Sequence, residues 1–326
     1  MKKTIIFSGI IVLFAVIFFG QTIGELLSLV NNVSNIDYAQ SLSAISGINY
    51  WSVDLGGSLS FPPSLAGTAT TEIEVSKSLK VGINLSNDEM GIFATFDPFA
   101  YQQASDKILY EHINEKIKLK MKIIDLFFDA YRSDRTVDQL SSESSSLKNE
   151  TEIYLLKSKY TYDLQMINTL LGIRISKLKF PTLEIPKIPE NYTPSNFQKP
   201  QNNDSNFSIN GYMGFLNQSK QMDFKVSLNY DWSPKVKTKA KNFFDVEKRR
   251  YFRDIHILSG FVKAYDGKLS ELFKLYSKVY SDYLTGKCSL EKVKNVSSQI
   301  SSLGYERDMY CIKLLEEFYL YKAIGD

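Results

Sequence analysis

Twice along this chain an Asp is followed, 33 residues later, by an Ala-Tyr dipeptide inside a long helical pattern: Asp97 by Ala130-Tyr131, and Asp231 by Ala264-Tyr265. Each Asp closes a stretch of alternating apolar and polar residues. Each is followed within three residues by a proline, Pro98 or Pro234, that opens an uninterrupted helical segment. Further along, Ser145-Ser146-Leu147, Glu150, Tyr154 and Lys157 recur as Ser301-Ser302-Leu303, Glu306, Tyr310 and Lys313. The chain therefore reads as a duplicated unit, in which strands feed one helix that runs away and a second that returns. A repeat constrains the fold more than any single residue does, because each unit must bury its apolar face against the other or against another subunit.

The amino terminus points to export. Met1-Lys2-Lys3 is positive and Ile5 to Phe19 is an almost unbroken apolar run, the pattern of a secretory signal. A membrane span needs roughly 20 such residues, so the run is short for an anchor. The small-x-small cleavage signature is weak, with Phe18 two residues before Gly20, and cleavage and retention both stay open. No cysteine lies near enough for a lipid anchor. Without Lys2 and Lys3, the 39 basic residues fall to 37 against 36 acidic ones, a balance that offers nucleic acid or an anionic surface no global attraction. The two cysteines, Cys288 and Cys311, stand 23 residues apart on one helical stretch, about 35 Å along a helix and beyond disulfide reach. Stability must then come from helix packing, membrane insertion or oligomerisation.

Four stretches alternate residue by residue. Trp51, Val53, Leu55, Leu59 and Phe61 make the first. Ile73, Val75, Leu79, Val81, Ile83 and Leu85 make the second, with Lys77 as its one exception. The third and fourth form a hairpin around Asn217 to Gln221, with Phe207, Ile209, Met213 and Phe215 continued by Met222, Phe224, Val226, Leu228, Tyr230 and Trp232. Met90 to Phe96 also reads as extended, either prolonging the second strand or forming a fifth. This alternation suits membrane barrel strands, apolar to lipid and polar to a lumen; it equally suits a soluble antiparallel sheet with one wet face. On the barrel reading Trp51, Val53, Leu55, Phe224, Val226 and Leu228 face lipid.

The helical pattern is more specific. Tyr251, Ile255, Leu258, Val262, Tyr265, Leu269, Leu272, Tyr276, Val279 and Tyr283 follow one another in steps of four and three, a heptad seam. A turn at Gly286 and an N-cap at Ser289 start a return helix carrying Val293, Val296, Ile300, Leu303, Tyr310 and Leu314. The first repeat does the same through Ile117, Met121, Ile124, Phe128 and Tyr131. Pro98 and Pro234 stand at helix starts, Pro62-Pro63 end a strand, and Pro181, Pro186, Pro189, Pro194 and Pro200 mark an extended linker.

Tyr283, Gly286, Ser289 and Val293, the closing Leu320-Tyr321-Lys322-Ala323-Ile324-Gly325, and the opening Glu25-Leu26-Leu27 through Asn31-Asn32 together resemble the TolC family of outer-membrane efflux proteins. The resemblance covers nearly the whole exported chain. It implies an α+β membrane protein built from two internal repeats. Three subunits would form a twelve-stranded outer-membrane β-barrel, about four strands per subunit, continued by a periplasmic α-helical coiled-coil barrel. It divides the chain into a signal peptide (1–20), a first repeat (21–180), a Pro/Asn-rich linker (181–205) and a second repeat (206–326). The implied function is a passive conduit for export or secretion, a homotrimer in outer-membrane lipid, worked through a periplasmic adaptor by an inner-membrane transporter. The alternative is a structural coiled-coil envelope protein that keeps the fold without transport.

Three departures stand out. The family's second repeat opens with a helix, where this chain has only the linker; 24 extended residues at about 3.1 Å each still climb roughly 75 Å. Ala130 to Gly172 spans 42 residues and Ala264 to Gly325 spans 61, so the second hairpin should project past the first by about 15 Å. Its tip would make the periplasmic mouth and adaptor contact through Asp282, Tyr283, Gly286, Lys287, Ser289 and Lys292, the last standing near where the family carries an acid.

Nothing points to an enzyme, and no catalytic, cofactor or metal residue is assigned. His112 and His256 occupy non-equivalent repeat positions with no ligand-spaced neighbour, and read as surface helical histidines. There is no Gly-rich phosphate loop or nucleophile elbow. Lys235, Lys237, Lys239 and Lys241 read as a solvated or headgroup-facing helix start rather than an anion site. The 20 Tyr and 21 Phe lie on seams and strand ends, as packing and an aromatic girdle require.

Overall fold

The computed structural model describes residues 20–46, 50–60, 64–76, 78–86, 89–142, 147–194, 207–216, 221–230 and 243–325. The signal segment, Pro62-Pro63, Pro200, Asp231, Pro234 and the four lysines after it lie outside the described residues. Among the described residues five helices and six strands follow in the order α1 (Ile23–Ser46), β1 (Tyr50–Ser60), β2 (Ser64–Ser76), β3 (Leu79–Ser86), β4 (Glu89–Phe96), α2 (Ala100–Ser142), α3 (Leu147–Leu171), β5 (Phe207–Leu216), β6 (Gln221–Tyr230), α4 (Phe243–Leu284) and α5 (Leu290–Gly325). Two units emerge. One draws on residues up to Val33, on Glu115–Gln198 and on the chain from Lys241; the other on Ser34–Asn114 and Lys199–Ala240.

The second unit is built on one six-stranded sheet in sequence order, every neighbour antiparallel. This corrects the expectation of about four strands, and Met90 to Phe96 forms a strand of its own, β4, rather than prolonging the second stretch. The stretch from Ile73 to Leu85 is two strands rather than one, turning between Ser76 and Leu79. A two-residue turn alone would set odd positions against even ones. The register shift between Glu74 and Ser76 restores the match, so that Ile73 pairs with Val81, and the alternation runs through the turn without a phase break. The other missed strand segment, Ser64–Thr71, holds one large apolar residue, Leu65, among Ser, Ala, Gly and Thr, too few to give an apolar period. Asp97 ends β4 and caps α2: its carboxylate accepts the N–H groups of Phe99 (2.9 Å) and Ala100 (3.1 Å), which leaves Pro98 where no N–H is needed. His112 stacks on Tyr38 with ring centroids 4.6 Å apart.

The first unit is helical. Thr22 and Glu25 form a reciprocal capping box at the start of α1, Thr22 N–H to Glu25 Oε2 at 2.7 Å and Glu25 N–H to Thr22 Oγ1 at 3.3 Å. The seam residues Ile117, Ile124, Phe128 and Tyr131 of α2 are buried, as are Tyr251, Ile255, Val262 and Val279 of α4. Leu258, Leu269 and Leu272 are half-buried, so the α4 seam keeps its phase with a narrower dry core than a full heptad. α3 ends at Gly172, whose φ of 64° lets Ile173 N–H reach Asn168 O at 3.1 Å, closing the helix in a left-handed cap.

Between Gly172 and Pro194 no helix forms. An extended strap lies along the bundle instead. Phe180 stacks flat on Tyr131 at 4.4 Å, Pro181 O accepts the Tyr131 hydroxyl (2.8 Å), and Leu183 O accepts Arg307 (2.8 Å). Farther on, Pro189 O meets His256 Nε2 (3.2 Å), Tyr192 bonds Asp245, and Thr193 N–H donates to Tyr321 (3.4 Å). Prolines suit such a strap because their missing N–H groups need no partner.

Candidate functional site

The two faces of the sheet differ completely. Register lines up Ile83, Ile92, Met213 and Phe224 in one cross-strand row, and Leu85, Met90, Phe215 and Met222 in the next. All eight are exposed. Phe224, Val226 and Leu228, three of the residues expected to face lipid, are 70%, 75% and 67% exposed. Trp51, Val53 and Leu55 pair with Ile73, Thr71 and Ala69, which puts their backbone positions in the same rows. An apolar face is thus open across β3 to β6, and the register continues its rows through Ala69, Thr71 and Ile73 of β2. Soluble monomers rarely leave so large a patch uncovered.

The opposite face is polar. Its rows run Asp54, Thr70, Asn84, Gly91, Gly214, Asp223, and Ser52, Glu72, Gly82, Phe93, Tyr212, Lys225. Lys80 bridges Glu72 at 2.8 Å, Lys225 bridges Asp223 at 2.6 Å, and Thr70 donates to Asn84 at 3.4 Å.

At the end of the helical unit, the α4–α5 turn gathers the six expected mouth residues. Gly286 has φ 72°; its N–H reaches Tyr283 O (2.9 Å) and Lys287 N–H reaches Asp282 O (2.8 Å), the paired bonds of a glycine-terminated helix. Ser289 caps α5 through Lys292 N–H (3.4 Å to Oγ). Beneath, Val279, Val293 and Val296 form a small core on which Tyr276, Cys288 and Ile300 pack. Lys287 and Lys292 are exposed and Asp282 is half-buried. Ser142, the last residue of α2, lines a cleft with Lys294 and Ser298, so α5 continues four to eight residues beyond it, roughly 6 to 12 Å at 1.5 Å per residue. The sequence comparison implied about 15 Å; α2 ends 12 residues after Ala130 where α4 ends 20 after Ala264, and residues 143–146, which complete the first hairpin, lie outside the described residues.

What sequence reasoning missed is a band of ion pairs inside the helical unit. Arg132 of α2 binds Glu316 of α5 at 2.9 Å and also pairs with Asp129. Arg135 binds Asp308, Arg307 binds Asp266 at 2.9 Å, and Lys313 holds Glu316 (2.9 Å) and Glu317 (3.0 Å). Burial, with Glu316 beside it, raises the Asp125 carboxyl to about 6. Burial likewise lifts the Cys311 thiol to about 11; both cysteines are free. Beyond the strap, towards the tip, α2, α4 and α5 leave an open cleft of about 850 Å³ lined by Arg135, Asp266, Phe273, Ile300, Tyr305 and Arg307. Among the described residues no helix is long and apolar enough to cross a membrane.

Comparison with known structures returns outer-membrane channels. The outer-membrane channel OprN is matched at 9% identity over 93% of this chain and 89% of that one, with a TM-score of 0.45. The chain is similar to them. The CmeC outer membrane channel of Campylobacter jejuni gives 8% identity, 92% and 82% coverage and 0.42; the MtrE outer membrane channel of Neisseria gonorrhoeae gives 10%, 93% and 88%, and 0.40. No family model and no curated protein matches the chain. Identities and TM-scores at this level carry no functional weight, so the sheet and helices of the chain itself must supply the reading.

Proposed function

We propose that this chain is the subunit of a TolC-like outer-membrane channel, a passive conduit whose sheet lies in the membrane and whose helices extend into the periplasm. The observation that carries the reading is the sheet: six strands in one antiparallel meander, with an apolar face whose large side chains stand exposed on β3 to β6 and an opposite face that is mainly polar. In lipid an open sheet edge is untenable, because each unpaired backbone group costs several kcal/mol. A six-stranded meander supports closure by a second copy, since its first and last strands run antiparallel and β6 of one subunit can extend to β1 of the next. Three copies would then contribute eighteen strands, within the range of outer-membrane barrels, rather than the twelve that four per subunit would give. The apolar rows would meet acyl chains and the polar rows an aqueous passage.

The helical unit suits a periplasmic extension, with an inner-membrane pump supplying energy through an adaptor docked near Asp282 to Lys292. The amino-terminal apolar run fits export by a signal segment. The strap from Gly172 to Pro194, standing where a further helix is expected, favours the second reading: a structural envelope protein that has kept the fold and lost the conduit. Planar-bilayer recording separates the two. A conduit gives discrete conductance steps when purified oligomer is added; oligomer that inserts without conducting would leave only the structural role.

A further inference from the structure

Among the residues whose side chains are described, two aromatics interrupt the polar face of the sheet, and neither stands off it. Phe93 and Tyr212 are cross-strand partners on β4 and β5, and the next pair on the same face is Gly91 with Gly214. A Cβ placed on either glycine would come under 3.0 Å from the hydroxyl and ring end of Tyr212. The ring therefore lies along the strands over bare backbone, its hydroxyl buried, with the Lys225 ammonium 5.7 Å from the ring centroid. Side chains on a strand ordinarily stand roughly perpendicular to the sheet. Here two missing Cβ atoms create the trough that lets one lie down.

We propose that Gly91 and Gly214 hold the Tyr212 ring flat against the polar wall, and so set the bore of the passage and the cross-section of cargo that it admits. The proposal rests on the channel reading and adds the residue that limits it. In a ring of subunits every copy brings its Tyr212 to one level, so upright rings would narrow the passage from all sides at once. The two glycines differ usefully from Gly82. A Cβ on Gly82 would strike the Thr71 carbonyl as well as the Phe93 ring, so the sheet itself would have to give. At Gly91 and Gly214 the nearest atoms all belong to the far end of Tyr212, and a flexible side chain can simply swing away. Gly211 is on the apolar face and has open space around it, which makes it the control.

The test compares Gly214→Ala, Tyr212→Ala, the double variant and Gly211→Ala as purified oligomers. In planar bilayers Gly214→Ala should lose unitary conductance, and the double variant should regain it. Tyr212→Ala should conduct at least as well as the parent, and Gly211→Ala like the parent. Nitration by tetranitromethane, located by peptide mass, should spare Tyr212 in the parent and modify it in Gly214→Ala. Unchanged conductance in Gly214→Ala overturns the proposal whether or not Tyr212 becomes reactive, and so does a loss that persists in the double variant. A parent that does not conduct overturns the channel reading and the bore with it; a conducting parent with indifferent variants overturns the bore alone.

Discussion

Asp125 on α2 and Glu316 on α5 are two acids in one packed bundle, and they are held differently. Glu316 has Arg132 and Lys313 at 2.9 Å each. Asp125 keeps exposed surface, yet the protein around it, with Glu316 as the next contributor, raises its carboxyl to about 6 from an ordinary 3.8. Between those two values the folded chain binds more protons at this site than the unfolded chain, so this group's contribution to stability falls as pH rises through the window. Asp125→Asn should therefore be more stable than the parent at pH 7 to 8, with the advantage shrinking as pH drops from about 6 to about 4 and gone below that. Denaturant midpoints across pH check it; a constant difference would place the cause elsewhere. These ion pairs were illegible in the sequence. Arg132 meets Glu316 from 184 residues away and Arg135 meets Asp308 from 173, and periodicity reports which face a residue occupies, never which distant charge shares it. The buried seam was legible because Ile255, Val262 and Val279 obey a local spacing that packing must satisfy.

At the scale of elements, the alternation in the sequence correctly assigned residues to faces and undercounted the strands. Ile73 to Leu85 kept one phase across a hairpin because a register shift compensated the turn, so the very feature that keeps the apolar face in phase also hid the break. Among the described residues of the linker no helix forms, as Pro181, Pro186, Pro189 and Pro194 lead one to expect, and the strap runs from Gly172 to Pro194. That the strap would dock on both Tyr131 and Tyr321 could not be read, since carbonyl acceptors are common to every residue. The same sheet supports a paired test. Val226 and Ser227 are adjacent on β6, both exposed, and point to opposite faces. If the apolar face meets lipid near the bilayer midplane, Val226→Arg should cost about 2–4 kcal/mol and Ser227→Arg far less. Folding titrations in lipid vesicles measure the difference, and equal tolerance would remove the membrane from the account of this face.

For the whole molecule, the question is whether the α4–α5 turn is a mouth or merely a solvated helix end. Its backbone is fixed by Gly286 and Ser289, and it reaches past Ser142 of α2, so in a ring of subunits the turns would be brought near one another. Charges of both signs, on Asp282, Lys287 and Lys292, would then alternate around the axis within a Debye length, about 10 Å at 0.1 M salt. Cys288 is a poor probe of this, because its thiol donates to Val279 O at 3.3 Å and packs on the valine core. Lys287→Cys in a Cys288→Ser background puts an exposed thiol at the turn, while Cys311, wholly buried with its thiol held near 11, stays silent. In intact envelopes a short bis-maleimide should link such chains into dimers. The yield should change between 0.05 and 1 M salt as screening releases the charges, taking the Debye length to roughly 3 Å at the upper limit. Solvated turns that never approach one another would give no dimers at any salt, in a preparation whose mass shows it to be trimeric, and the mouth would have to be sought elsewhere on the helical unit.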